Sequence, residues 1–234
     1  FKAPARAMQK RDPKNPALQL GIGDDCALLQ PTSGMQLAIS SDMLVEGRHF
    51  FADIDPYKLG HKALAVNLSD LAACGAKPLA FTLALALPRA DAAWLEPFSR
   101  GLLALAVEYN CHLIGGDTDH ASGPLSISIT AFGSVPRGRM VQRTTAKAGD
   151  HLFVTGTLGD AALGLALQRD AALLKRELTS GDRAFLAGRY LRPSPRVALA
   201  PLLLLTASAA LDISDGLLKD LGRMAAGAGA GAVV

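Results

Sequence analysis

Cysteine is scarce in this 234-residue chain: Cys26, Cys74 and Cys111 stand far apart and no Cys-x-x-Cys occurs. A zinc knuckle, a redox pair and a disulfide framework are therefore excluded, and unpaired thiols point to a reducing compartment such as the cytoplasm. Aromatic residues make up only 5%, too few for a row of base-stacking platforms. Charge of one sign is also lacking. Twenty-four Lys and Arg against 21 Asp and Glu leave +3, a weak basis for nucleic-acid binding. No apolar run reaches the roughly 20 residues of a membrane span. Val197–Leu211 comes nearest, but it holds Pro201 and reads as a buried helix. No apolar stretch near the start suggests a signal peptide.

Several catalytic signatures are missing as well. Without Gly-x-x-x-x-Gly-Lys-Ser/Thr there is no P-loop. Gly21-Ile-Gly-Asp-Asp-Cys26 lacks the third glycine of a dinucleotide fingerprint. Neither Gly-x-Ser-x-Gly nor His-Glu-x-x-His occurs. The histidines His49, His61, His112, His120 and His151 show no metal-pair spacing. His49 alone is of interest, in the loop that leaves the segment ending at Asp42.

Half of the residues are hydrophobic, enough for a sizeable core. Residues 1–16 read as a helix end and a loop. Short apolar strands are expected at Leu18–Gly23, Gln36–Ser40, Leu79–Leu87 and Cys111–Ile114. Leu125–Ala131 alternates as a half-buried strand does. Helical periodicity covers Pro56–Cys74, closed by Gly75, and Asp91 is placed to cap a helix reaching Tyr109. Polar, aperiodic Met140–Asp150 suggests a boundary between 1–142 and 143–234. Beyond it a strand (His151–Thr155), a Gly-rich turn (Gly156–Gly159) and helices at Asp160–Gln168, Asp182–Tyr190, Val197–Thr206 and Leu217–Ala226 are expected. The chain opens on Phe1 and stops on an apolar run that reads as a strand beginning, so both ends read as cut.

The informative feature is where the carboxylates fall. Five apolar segments run into aspartate: Gly-Ile-Gly-Asp24-Asp25, Ile-Ser-Ser-Asp42, Asn-Leu-Ser-Asp70, Ile-Gly-Gly-Asp117 and Asp212-Ile-Ser-Asp215. A single one reads as a helix cap or a turn. Five at the edge of a core, with few Lys or Arg beside them, point to a shared acidic site, because an unpaired buried carboxylate is costly. Hard oxygen donors from several segments suit Mg²⁺, which commonly bridges to phosphates. In extended backbone Asp24 and Asp25 point apart, so one of the two is the expected direct ligand.

These residues also carry a resemblance. Gly21–Ala27, Ala38–Asp42, His49-Phe50, Lys62–Ala73, Gly75–Pro78, Leu113–Thr118, Val154–Asp160, Arg192–Arg196 and Asp212–Gly216 occur in one order. As an ordered set they closely resemble the bacterial thiamine-monophosphate kinases, within the wider aminoimidazole-ribonucleotide synthetase-like superfamily. The resemblance implies an α/β (α+β) fold of two domains, an N-terminal sheet that forms a β-barrel-like interface with a second copy, and a C-terminal α/β domain cut short. It implies a homodimer that transfers the γ-phosphoryl of ATP to thiamine monophosphate with several Mg²⁺ ions. By motif, Asp25, Ser40, Ser41, Asp42, Asp70, Asp117, Asp212 and Asp215 match metal positions. Gly116, Asp117, Arg143 and Ser214 match ATP contacts, and His49 matches a contact to thiamine monophosphate. No protein nucleophile or base is assigned, since the acceptor phosphate is already ionised. Other ATP-dependent synthetases of the superfamily, and a non-catalytic metal-stabilised module, remain as alternatives. Neither nucleic acid nor membrane is an expected partner.

Overall fold

The computed structural model describes residues 15–234; the expectation for 1–16 lies almost wholly outside them. Strands β1 (Leu18–Leu20), β2 (Leu28–Leu29), β3 (Met35–Val45), β4 (Lys77–Leu87), β5 (His112–His120) and β6 (Ser126–Pro136) form two sheets. Helices α1 (Pro56–Ala73) and α2 (Ala92–Glu108) lie between them in sequence. After β6 the described residues hold helices alone: α3 (Asp160–Arg169), α4 (Ser180–Leu191), a 3₁₀ turn (Val197–Leu199), α5 (Ala200–Thr206) and α6 (Leu217–Ala228).

Local chemistry sets the helix ends. Asp55 accepts from the Tyr57 N–H at 2.8 Å ahead of Pro56, which starts α1 with its φ already helical. Gly75, at φ +73°, turns the chain out after Cys74. Asp91 caps α2 through the Ala93 N–H at 2.9 Å. Thr179 and Asp182 cap each other's backbone at the start of α4.

The main sheet has the order β3-β6-β4-β5. β6 runs antiparallel to both β3 and β4, and β4 runs parallel to β5. The crossovers β3-α1-β4 and β4-α2-β5 lay both helices on one face. Phe81, Leu83, Leu85, Ile127, Ile129 and Ala131 from that face are buried against Leu59, Leu64, Leu68, Leu71, Phe98 and Leu102 of the helices. Each large apolar side chain removed from water in this way contributes about 1.5–3 kcal/mol. Among the described residues the opposite face is covered at one end only. There β1 and β2 bring Leu18 and Leu29 against Leu37, Leu79, Ile114 and Phe132. Further along, Ile39 and Met43 stand 61% and 58% exposed.

Several expectations are corrected. The strands were expected to stop before Ser41-Asp42 and before Gly115-Gly116-Asp117, yet β3 and β5 run through both. Continuous pairing with β6 and β4 holds these residues extended, overriding their turn propensity. His151–Thr155 forms no strand, since no strand beyond β6 is present among the described residues to pair with it; Leu152 and Phe153 are exposed. Val197–Leu211 is not one buried helix. Pro201 opens the short α5, where Ala200 is buried while Leu202 and Leu205 face solvent. Residues 230–234 adopt neither helix nor strand after Gly229 caps α6.

Helices α1 and α2 cross backbone to backbone. A Cβ on Gly60 would lie 2.1 Å from the Phe98 carbonyl oxygen, and one on Gly101 would lie 1.9 Å from that of Tyr57. Gly101→Ala is therefore expected to destabilise the fold by about 3 kcal/mol, through forced separation of the helices. Gly123→Ala, in open space, should stay within about 0.5 kcal/mol of the parent. Urea denaturation of both variants measures the difference.

Candidate functional site

Register decides which of the β3 residues share a surface. Ser40 lies opposite Ala131 and Asp42 opposite Ile129, both buried on the helix-covered face. Ser40 and Asp42 therefore look toward α1. There the Ser40 hydroxyl donates to the Asp70 carboxylate in a short hydrogen bond. Ser41 points to the other face, its Oγ 3.0 Å from Thr130 Oγ1. The period of two along a strand thus separates Ser41 from the acidic group its neighbours join.

A third carboxylate comes from far along the chain. The segment after β6 is strapped back onto the end of α1: the Val141 N–H donates to the Cys74 carbonyl at 3.2 Å. Thr145 Oγ1 donates to the Ser208 carbonyl at 2.6 Å, and the Arg139 guanidinium to the Leu204 carbonyl at 3.2 Å. These contacts set Asp212 within electrostatic reach of Asp70 and Asp42. Burial, then Asp70, Asp220 and Asp42, push the Asp212 carboxyl up to about 6. Burial and Asp70 also raise Asp42, while His49 pulls it back. Cys74 senses the same field. Burial, Asp70 and Asp212 raise its thiol, and Arg143 opposes them, which places Arg143 beside the group.

The remaining candidates are placed differently. Asp25 is exposed, its N–H turned onto the Asp24 carboxylate at 2.9 Å. Gly116 packs against β4 so closely that a Cβ would meet the Leu83 carbonyl oxygen at 1.8 Å. Asp117 stands one row on, exposed beside Ala84, and accepts from the Thr118 N–H. Neither Asp25 nor Asp117 is among the groups that shift Asp42 and Asp212. Ser214 is exposed in the turn before α6. Asp215 is engaged by Lys219 and Arg223, each at 2.8 Å, and their hydrogen bonds hold its carboxyl low. His49 is exposed, and its Nδ1 accepts from the Val45 N–H at 2.9 Å.

Sequence reasoning missed Asp220. It is 1% exposed and accepts from the N–H groups of Asp215 and Gly216 and from Arg223, so it shapes the turn that carries Asp212–Asp215. The signal was present: an Asp four residues past the glycine that opens a helix can reach back to its free N–H groups.

Among the described residues no three His, Cys, Asp or Glu side chains are placed to chelate one ion. The donor chemistry nonetheless fits a hard divalent cation. Asp70 raises the carboxyls of Asp42 and Asp212, Asp42 adds to the rise at Asp212, and no ion pair to any of the three stands among the described residues, which is the imbalance such an ion relieves.

Comparison with known proteins identifies the family and the fold. Residues 23–135 match the family "AIR synthase related protein, N-terminal domain". Thiamine-monophosphate kinase of Salmonella typhimurium is 51% identical over 217 residues, covering 93% of this chain and 65% of that protein. The crystal structure of thiamine-monophosphate kinase from Stenotrophomonas maltophilia K279a is 48% identical, with a TM-score of 0.86 over 97% of this chain and 70% of that one. The chain belongs to the thiamine-monophosphate kinase family. Its N-terminal part is accordingly a mixed α/β domain of the aminoimidazole-ribonucleotide synthetase type. Another member of known structure, AaThiL complexed with AMPPCP and TMP, is 34% identical, with a TM-score of 0.77 over 89% of this chain and 65% of that one. The present kinase-family chain spans 65% of the Salmonella relative's length.

The raised carboxyl of Asp212 has a measurable consequence in metal-free protein. Between its ordinary value of 3.8 and about 6 the folded state holds a proton that the unfolded state has released. Stability therefore falls as pH rises through that window. Asp212→Asn is expected to flatten this fall and to be more stable than the parent at pH 7 by about 1–3 kcal/mol, after allowance for solvent screening. Urea titrations at pH 4 and pH 7 in the presence of a chelator test this.

Proposed function

We propose that the protein carrying this chain phosphorylates thiamine monophosphate to thiamine diphosphate at the expense of ATP, by direct phosphoryl transfer. The observation that supports this most is the convergence of Asp42, Asp70 and Asp212, with no ion pair to any of them among the described residues, in a chain of this family. One relative has been seen complexed with AMPPCP and TMP, an ATP analogue paired with a phosphate acceptor.

Transfer between two phosphates asks little covalent chemistry of a protein; it needs two anions brought together and the charge on the moving oxygens offset. Mg²⁺, when bound, would supply the positive charge that offsets those oxygens. Asp42, Asp70 and Asp212 are the residues to hold it, with Ser40 in support and with Asp25 and Asp215 from turns and Asp117 from β5 as further carboxylates; Ser41, on the other face of β3, is not among them. Ser40 orients the Asp70 carboxylate. Arg143, beside Cys74, offers a forked donor to ATP phosphates, and Gly116, Asp117 and Ser214 complete the nucleotide side. His49 meets the acceptor. With Nδ1 occupied by the Val45 N–H, the neutral ring carries its proton on Nε2, where it can donate to an acceptor oxygen. No side chain need act as base.

We divide the chain at 142/143, since every described strand and the two helices packed on the main sheet precede that point. We also propose a two-fold homodimer. The uncovered face of β3 and β6, with Ile39 and Met43 exposed, is the surface on which a second sheet would close a barrel-like interface. A cytoplasmic location accords with three unpaired thiols; among the described residues no helix is long and apolar enough to cross a membrane.

Incubation of the full-length protein with ATP, Mg²⁺ and a panel of phosphorylated acceptors, followed by mass spectrometry, should yield thiamine diphosphate and ADP; a product from another acceptor alone would overturn the assignment. Mg²⁺ with nucleotide should raise the melting temperature by several degrees. Asp42→Asn should remove most of that gain while Asp91→Asn, a helix cap, keeps it. Ile39→Lys should convert the dimer to a monomer in light scattering, and a parent that is monomeric at high concentration would sink the dimer.

A further inference from the structure

Lys62 is an unusual residue for its position. It lies in the buried stretch of α1, between His61 and Ala63, and is only 9% exposed. Lysine is rarely buried unless its charge is met. Among the described residues no carboxylate stands at ion-pair distance from it, and burial lowers its ammonium to about 8. Two other groups meet it. Its Nζ donates to the His49 carbonyl at 3.3 Å and sits 3.8 Å from the centre of the Tyr190 ring. The Tyr190 hydroxyl in turn donates to that same His49 carbonyl at 3.4 Å.

Two neighbouring segments and one far along the chain thus converge on one backbone oxygen: α1 through Lys62, the loop after β3 through His49, and α4 through Tyr190. The His49 ring is fixed separately by the Val45 N–H. With carbonyl and ring both held, the exposed Nε2 is given one direction. A buried ammonium bonded to a carbonyl and laid on an aromatic face satisfies the charge without neutralising it, and it ties the His49 loop to the helix after the 142/143 division.

We propose that Lys62, seated on Tyr190, is the positioning residue of the acceptor loop, fixing the His49 backbone so that the imidazole is aimed at thiamine monophosphate. This rests on reading His49 as the acceptor contact. A positioning role acts on the acceptor and leaves the nucleotide side unaffected.

The test uses the full-length enzyme. Lys62→Met keeps length and apolar packing but removes the ammonium. It is expected to raise the KM for thiamine monophosphate about tenfold, the value of one charge-assisted hydrogen bond, with the KM for ATP unchanged. In a His49→Ala background the same substitution should add nothing, because there is no ring left to aim. The ¹⁵N signals of the His49 ring should move from a single Nε2–H tautomer toward averaged values in Lys62→Met. Should Lys62→Met fail to fold, Tyr190→Phe, which loses only the hydroxyl on the His49 carbonyl, should raise the acceptor KM in the same direction. If His49→Ala raises the acceptor KM while Lys62→Met and Tyr190→Phe do not, the positioning role is wrong and the acceptor reading stands. If His49→Ala itself leaves the acceptor KM unchanged, the acceptor reading fails first. An equal loss of kcat with both substrates, and no change in KM, would make Lys62 a purely structural residue and overturn the proposal.

Discussion

The contact of α1 with α2 through Gly60 and Gly101 is the constraint on which the rest of the structure depends. Two carbonyl oxygens, those of Phe98 and Tyr57, occupy the space where side chains would otherwise stand. The helices therefore approach closely enough to share one sheet face, and α1 is enclosed by α2, β3 and β6. Only in that enclosure does a helix carry Asn67, Lys62 and His61 inward beside Leu59, Leu64 and Leu68. Polar groups placed there are held where packing puts them. Asp70 emerges at the end of the same helix with its carboxylate already bound by Ser40.

The acidic group follows from that placement. Three carboxylates from β3, α1 and the turn before α6 share one field, and Asp70 with burial raises the cost of ionising Asp42 and Asp212. Asp215, by contrast, meets Lys219 and Arg223 and is at ease as an anion. The contrast within one four-residue turn separates a carboxylate that awaits a cation from one already paired. Asp220 makes that separation possible by fixing the backbone between them.

Much of this was legible in the sequence where the governing chemistry is local. Pro56, Asp91 and Gly75 mark helix ends because these signals act within a few residues, although the Asp55 cap itself went unread. Asp42, Asp70 and Asp212 stood out because an aspartate closing an apolar run demands a reason. What depends on pairing was less legible. Ser41-Asp42 and Gly115-Gly116-Asp117 have turn chemistry, and only the ladders to β6 and β4 keep them extended. His151–Thr155 has strand composition but no neighbouring strand among the described residues. The same gap hid the split between Ser40 and Ser41, since facing is fixed by register, and the meeting of Lys62 with Tyr190, which no spacing announces.

Helix α1 carries both the residue that grips the His49 carbonyl and a carboxylate of the acidic group. Lys62 and Asp70 are eight residues apart, 70 minus 62, so the rise between them is about 12 Å along a helix whose backbone is locked against α2. The helix serves as a ruler of fixed length between the two halves of the site. The distance between the His49 carbonyl and the acidic group therefore cannot change by stretching that ruler. Tyr190 leans on it at Lys62 and Asp212 faces it near Asp70, so two segments far along the chain are measured against one rigid edge.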